Sequence, residues 1–353
     1  MTIRQIVQPT SPETRIQGID LLKCIAILCI PAQHFFTLQT HFREVTFDSL
    51  SIFLQSVVME FALIGVPLFI SITGYLNKQN APTWNYYKHI LKVLVPYVLI
   101  SIIYLFFRKY FLNEEISFRH GIGMILRFNA IPYAWYIEMW IGLYLLAPFL
   151  NKIVENINNR NHSLILIATL FFMGYLPITT NRDGFYLVPG YWAAIAPLAC
   201  FFIGSHIRKY GCGISRRKLI LFITFAITIE PIVNLLFFHG ERYHFVFGQY
   251  LFIIPAMAAF FSLLYRWNTD NKRINTMMRF VSNHTLEMYL YCAICDMILY
   301  PFFLQWYNTQ SQFGLFFFII VPLELIITFL LAWLTRLIIH VSHIDRIWIS
   351  HKK

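Results

Sequence analysis

The chain has 353 residues, of which 58% are hydrophobic, 18% aromatic and only 13% charged, and its mean hydropathy is +0.59. Soluble chains carry about 25% charged residues, so an ordinary water-soluble domain is excluded. The net charge of +11 sits mostly in short segments between apolar runs. No basic-aromatic groove or motif accompanies it, so it reads as membrane topology rather than nucleic-acid binding.

Apolar runs of about 17–25 residues, the length that crosses a bilayer as helix, recur along the whole sequence. Ten helices are predicted, over 18–38, 50–76, 89–107, 133–150, 163–178, 190–207, 218–238, 246–265, 284–303 and 313–341. The fold class is therefore an all-α integral-membrane bundle of about ten transmembrane helices. One membrane domain spans 18–341, between an N-terminal segment at 1–17 and a tail at 342–353. The start of the first span is too charged for a cleaved signal peptide. With the N-terminus inside, 19 Lys and Arg residues fall on the cytoplasmic side and 7 outside, Lys23 and Lys92 lying within spans. Both termini are expected to be cytoplasmic, in a multi-pass protein of the cell membrane.

One external loop, 108–132, dissents with four basic residues. Within it Phe118–Ala130 alternates polar and apolar residues at helical spacing. It reads either as an amphipathic segment on the outer interface or as a solvated loop. There is no fixed-period or inverted repeat of the kind many transporters carry. Five cysteines lie in apolar spans and Cys212 in a basic loop. None has zinc-site spacing with a histidine, so no metal is expected.

The first span, R-I-Q-G-I-D-L-L-K-C-I-A-I-L-C-I-P-A-Q-H (15–34), carries the most informative pattern. Lys23 and His34 are eleven residues apart, three helical turns and about 16.5 Å of rise, so both lie along one stripe with Asp20 a turn below Lys23. His34 falls roughly 22 Å from the start of the helix, in the outer half of the bilayer. An ionisable residue at such depth is a functional candidate. The competing reading is a histidine that reaches the outer interface or bonds a neighbouring carbonyl. Pro31, one turn earlier, removes a backbone hydrogen bond and is expected to bend the helix beside the imidazole.

Six further carboxylates fall inside spans: Glu60, Glu138, Glu230, Glu287, Asp296 and Glu324. Unpaired, each would cost several kcal/mol, so they are expected to face the bundle interior. Glu60, near mid-bilayer, is expected to orient His34 as the third group of a base relay. Glu138 follows Trp135 on the same helical face, a pairing suited to sugar recognition, with interface anchoring as the rival reading of Trp135. Pairing with Asn, Tyr or His is the default for the other four.

Lys23 through His34, with Arg15 and Asp20 before it, resembles the opening of the integral-membrane acyltransferase family 3, whose first helix carries a basic residue, ten intervening residues and a histidine. V-P-L-F-I-S-I-T-G-Y-L (66–76) is similar to that family's Ser-Gly-Tyr-Leu stretch, with Thr73 where serine is usual. Y-Y-K-H-I-L-K-V-L-V-P-Y (86–97), A-W-Y-I-E-M-W-I-G-L-Y-L-L-A-P (134–148) and S-N-H-T-L-E-M-Y-L-Y-C (282–292) are looser matches, the last with Cys292 where histidine is common.

The resemblance implies an O-acyltransferase that moves an acyl group, most simply acetyl, from a cytoplasmic acyl-CoA to a hydroxyl of an exported or lipid-linked glycan. No permanently bound cofactor is implied; acetyl-CoA or another acyl-CoA is the donor substrate. Lys23, Lys88 and Lys92 are the candidates to meet its phosphates, with ordinary positive-inside topology as the rival for Lys88 and Lys92. His34 is the expected general base, or the carrier of an acyl-histidine intermediate. Trp135 and Glu138 are expected at the acceptor. The alternative class is a secondary transporter or exporter, since intramembrane carboxylates also suit proton coupling; a non-catalytic export partner is a third reading.

Overall fold

A computed structural model describes residues 15–39, 45–77, 81–181, 186–246, 248, 250–306 and 310–347. Among them there is no β-strand, only a single antiparallel bridge between Thr46 and Arg242. The helices in chain order are α1 (Gln17–His34), α2 (Leu50–Ala62), α3 (Gly65–Leu76), α4 (Trp84–Tyr87), α5 (Leu91–Phe111), α6 (Phe118–Leu126) and α7 (Trp135–Asn156). They continue with α8 (Arg160–Thr180), α9 (Ala196–Tyr210), α10 (Arg216–Phe237), α11 (Ile253–Leu264), α12 (Lys272–Ser282), α13 (Thr285–Phe303) and α14 (Gln310–Val341). Among the described residues nine helical stretches are long and apolar enough to cross a membrane, and α11 is a shorter apolar helix. The protein is a polytopic helical membrane bundle.

Local chemistry sets the helix ends. Ser49, Thr83, Ser117, Asn159 and Asn271 each accept a bond from a first-turn amide of α2, α4, α6, α8 and α12, satisfying donors a helix leaves open. The span expected over 50–76 is broken at Leu63 and Ile64. Pro67 has no N–H for the carbonyl four residues before it, so the helix turns there and restarts as α3. The span expected over 246–265 is helical only from Ile253. Before it, His244 is held in an irregular path by Asn234, which accepts its N–H at 2.7 Å and donates to its carbonyl at 2.8 Å. In the 108–132 loop, Arg108 is bound by Glu114 at 2.5–3.0 Å, which holds the Glu114 carboxyl below its usual range. The amphipathic stretch becomes α6, with Ile122 and Ile125 turned to an apolar groove against α5.

Helix α1 is central. It packs on α2, α3, α11, α12, α13 and α14, and 67% of its apolar window is buried, against 22% for peripheral α8. Apolar side chains do not drive helices together in lipid; close packing and interhelical hydrogen bonds do. The α3–α9 pair shows both. Ser71 donates to the Cys200 carbonyl at 2.9 Å and Ser205 to the Gly74 carbonyl at 3.0 Å. A Cβ on Gly74 would strike the Phe201 backbone, and one on Gly204 the Ser71 carbonyl. At the end of α3, Arg208 donates to the carbonyls of Gly74, Tyr75 and Asn77, while Lys209 donates to three carbonyls at the end of α7. Two of the basic residues attributed to topology thus also cap helices. Gly204→Ala is expected to cost about 1–3 kcal/mol by overpacking, and Gly204→Leu to abolish recovery of a monodisperse protein. Detergent-solubilised yield and thermal unfolding check this.

Candidate active site

Pro31 lies within α1, and the last turns of that segment widen into a π turn over Phe35–Gln39, directly after His34. Such turns place side chains off the regular helical spiral. His34 is buried in the bundle, with its Nδ1 3.1 Å from Oδ2 of Asp296 on α13. The contact is of ion-pair length, though off line for an ideal hydrogen bond. It favours the tautomer that carries its proton on Nδ1 and leaves Nε2 as the acceptor. The Tyr133 ring covers the imidazole, with centroids 4.1 Å apart. Its hydroxyl donates to the same Asp296 oxygen in a short hydrogen bond. Burial and the adjacent carboxylate raise Tyr133 far above an ordinary phenol, so it remains a donor. Tyr289 on α13 secures it from behind, donating to the Tyr133 carbonyl at 2.9 Å.

The carboxylate that orients His34 is therefore Asp296. Glu60, expected in that role, instead accepts the Tyr243 hydroxyl at 2.9 Å and makes no described contact with His34. Depth along α2 was a poor guide because it does not specify which way the side chain points. Cys292, one turn before Asp296, and Glu324 on α14 complete the surroundings. Ligand-type atoms of His34, Cys292 and Glu324 lie within 4.8 Å of one another, all buried.

A cavity of about 370 Å³ lies between α1, α3, α7 and α13, lined among others by Lys23, Thr73, Tyr136, Trp140, Tyr144 and Tyr289. It is separated from this cluster by Tyr289, and His34 is not among its lining residues. Tyr289 belongs both to its wall and to the support of Tyr133. A second cavity of about 430 Å³, lined by Asn85, His89 and Lys92, shares Tyr86 and Tyr144 with the first. These two rings stack with centroids 4.4 Å apart, and Trp140 continues the stack on Tyr144 at 4.9 Å. Each tyrosine hydroxyl donates to the other's backbone carbonyl, at 2.9 and 3.1 Å, which fixes the pair.

Of the expected donor-binding cations, Lys23 lines the first cavity and Lys92 the second. Lys88 lies one turn from Lys92, in its electrostatic field; it sits on the tight turn Lys88–Ile90, whose His89 lines the second cavity while Lys88 lines neither. Arg336 adds a cation in reach of both Lys23 and Lys92. Trp135 and Glu138 lie off the cavity; both are exposed, Trp135 by 50%. The cavity face of α7 carries Tyr136, Ile137, Trp140 and Tyr144 instead. Asp20 is not free to meet a substrate. It holds Arg15 at 2.6 and 2.7 Å and accepts from Ser282 at 2.6 Å, while Arg15 also donates to Asn283 at 3.0 Å. The two ends of the sequence pattern, residues 15–20 and 282–283, thus form one polar junction.

The model of a family described as an acyltransferase domain matches residues 16–336, nearly the entire bundle. The chain belongs to the integral-membrane acyltransferase family 3. No curated protein and no solved structure gives a significant match. The family match fits the geometry: an imidazole with a carboxylate behind it, across Tyr289 from an aromatic cavity with a cation in its wall, is a constellation for proton transfer to or from a reacting group. Asp296 and Tyr133 were not singled out at His34 from sequence. The available signal was the four-residue step from Cys292 to Asp296, which puts both on one face of α13.

Proposed function

We propose that this membrane acyltransferase moves an acetyl group from cytoplasmic acetyl-CoA to a hydroxyl of an exported or lipid-linked glycan, with His34 as general base. The observation that carries the proposal is the buried Asp296–His34 pair across Tyr289 from the Lys23 cavity. Asp296 retains the Nδ1 proton and stabilises the imidazolium that forms. Nε2 accepts the proton of the acceptor hydroxyl as its oxygen attacks the thioester carbonyl. The carbon–sulfur bond then breaks, and the departing CoA sulfur takes that proton from the imidazolium. Atoms and charge balance without a further reactant.

The donor's placement follows from its chemistry. Its phosphates need cations, supplied by Lys92 and Lys23 with Arg336 nearby, and the stacked Tyr86–Tyr144–Trp140 wall offers faces for a planar base and a flexible arm. The termini and the Lys23 end of α1 lie on the cytoplasmic side in this reading, and the acceptor approaches from outside.

The decisive experiment supplies radiolabelled acetyl-CoA to purified protein and compares surface glycans of wild-type and His34→Ala cells by mass spectrometry. Loss of one acetyl mass unit in the variant supports the proposal; full acetylation in the variant overturns it. Lys23→Ala is expected to raise KM for acetyl-CoA about tenfold, the equivalent of about 1.4 kcal/mol for one charge-assisted contact. Its kcat should change little, which steady-state kinetics over a donor concentration series would resolve.

A further inference from the structure

Two buried carboxylates meet one imidazole at the heart of the bundle, and the proton-transfer reading uses only one of them. Glu324 is 0% exposed, and neither of its oxygens has an N–H or O–H donor. Beside it, within 4.8 Å, lies the sulfur of Cys292, whose thiol donates to the Met288 carbonyl at 3.4 Å. Asp296 shares one oxygen between His34 and Tyr133, while its Oδ1 has no partner. A buried carboxylate with open lone pairs costs several kcal/mol unless a proton or a cation satisfies it. Here the open oxygens lie beside a thiol and an imidazole, the two other side chains that bind transition metals best.

We propose that His34, Cys292 and Glu324 form a binding site for a divalent metal of borderline softness, with Zn²⁺ as its natural probe, and that occupancy withdraws His34 from catalysis. The ligand set of one imidazole, one thiolate and one carboxylate is that of a tetrahedral zinc site. The ligand atoms lie within 4.8 Å of one another. Bond lengths of 2.0–2.3 Å place tetrahedral ligands roughly 3.3–3.8 Å apart, so rotamer adjustments that shorten the longest separation by about 1 Å close the site. Where a protein supplies three ligands to zinc, a water molecule takes the fourth position. Binding replaces the thiol proton with the metal and releases it to solvent. A metal-bound imidazole nitrogen has no lone pair left to accept a substrate proton. Inhibition rests on the role proposed for His34; binding does not.

The test is a Co²⁺ titration of the detergent-purified full-length protein, followed by Zn²⁺ competition, with no acyl donor present. A thiolate-to-cobalt charge-transfer band in the near ultraviolet, saturating at one equivalent, is expected. It should vanish in Cys292→Ser, and Glu324→Gln should weaken affinity more than about tenfold. Melting curves of both variants establish that they fold. Absence of the band in wild-type protein, or its persistence in folded Cys292→Ser, overturns the site. In transfer assays Zn²⁺ should inhibit wild-type protein and leave Cys292→Ser at its own metal-free rate. Binding without inhibition overturns the regulatory half alone. Metal binding together with an active His34→Ala variant would overturn the catalytic proposal and leave the site standing.

Discussion

His34→Ala is expected to slow acetyl transfer by about 10²–10⁴-fold, the range spanned by a positioned general base, and Asp296→Asn to approach the same loss. The argument for the second is tautomeric. The carboxylate 3.1 Å from Nδ1 favours the tautomer with its proton there, whereas an amide that also bonds Tyr133 can present its NH₂ to the ring and draw the proton to Nε2. The nitrogen needed to accept the substrate proton would then be occupied. Because the two residues act as a unit, the double variant should be no slower than His34→Ala, a non-additivity that single-turnover measurements detect. Tyr133→Phe removes one donor from Asp296 and leaves the imidazole in place, so it should lie between wild type and Asp296→Asn. Wild-type rates in Asp296→Asn would show that His34 needs no orienting partner.

A large effect on stability is expected at the other end of α13. Glu287 is buried and accepts from Arg336 of α14 at 2.8 and 3.3 Å. Arg336→Met would leave that carboxylate uncompensated. Breaking such a pair costs about 3–5 kcal/mol when both partners are buried. The Arg336 side chain is 43% exposed, so solvent screens part of the loss and the lower end of that range is expected. Restoring apolar balance with Glu287→Leu in the same chain should recover most of it, because the cost lies in the stranded charge rather than in a missing contact. Thermal unfolding of the two variants in one detergent compares them directly. Equal destabilisation of the single and double variants would refute the account.

The parts of this architecture that were legible in the sequence belong to single helices. Hydropathy located the spans, and the step from Lys23 to His34 placed both on one stripe of α1, because that relation depends only on helical geometry. The partners were not legible for the opposite reason. Asp296 reaches His34 from α13 across more than two hundred residues of chain, and Tyr133 reaches it from the connection before α7. No periodicity within one segment encodes such a meeting. Glu60 was read from depth alone, which fixes height but not azimuth, and it meets Tyr243 instead. On α7, Trp135 and Tyr136 are adjacent aromatics, so sequence could not say which faces inward; the structure buries Tyr136 and exposes Trp135. The interruption at Leu63 and Ile64 was written in Pro67, but an unbroken apolar run outweighed it.

In the proposed mechanism the unbroken course of α1 from Gln17 to His34 acts as a molecular ruler. A donor that offers anionic oxygens to Lys23 and an activated carbonyl to His34 must extend for about three helical turns, some 16 Å. Acetyl phosphate, whose phosphorus lies a single bridging oxygen from its carbonyl, is too short to touch both marks, and only a carrier with a long arm can.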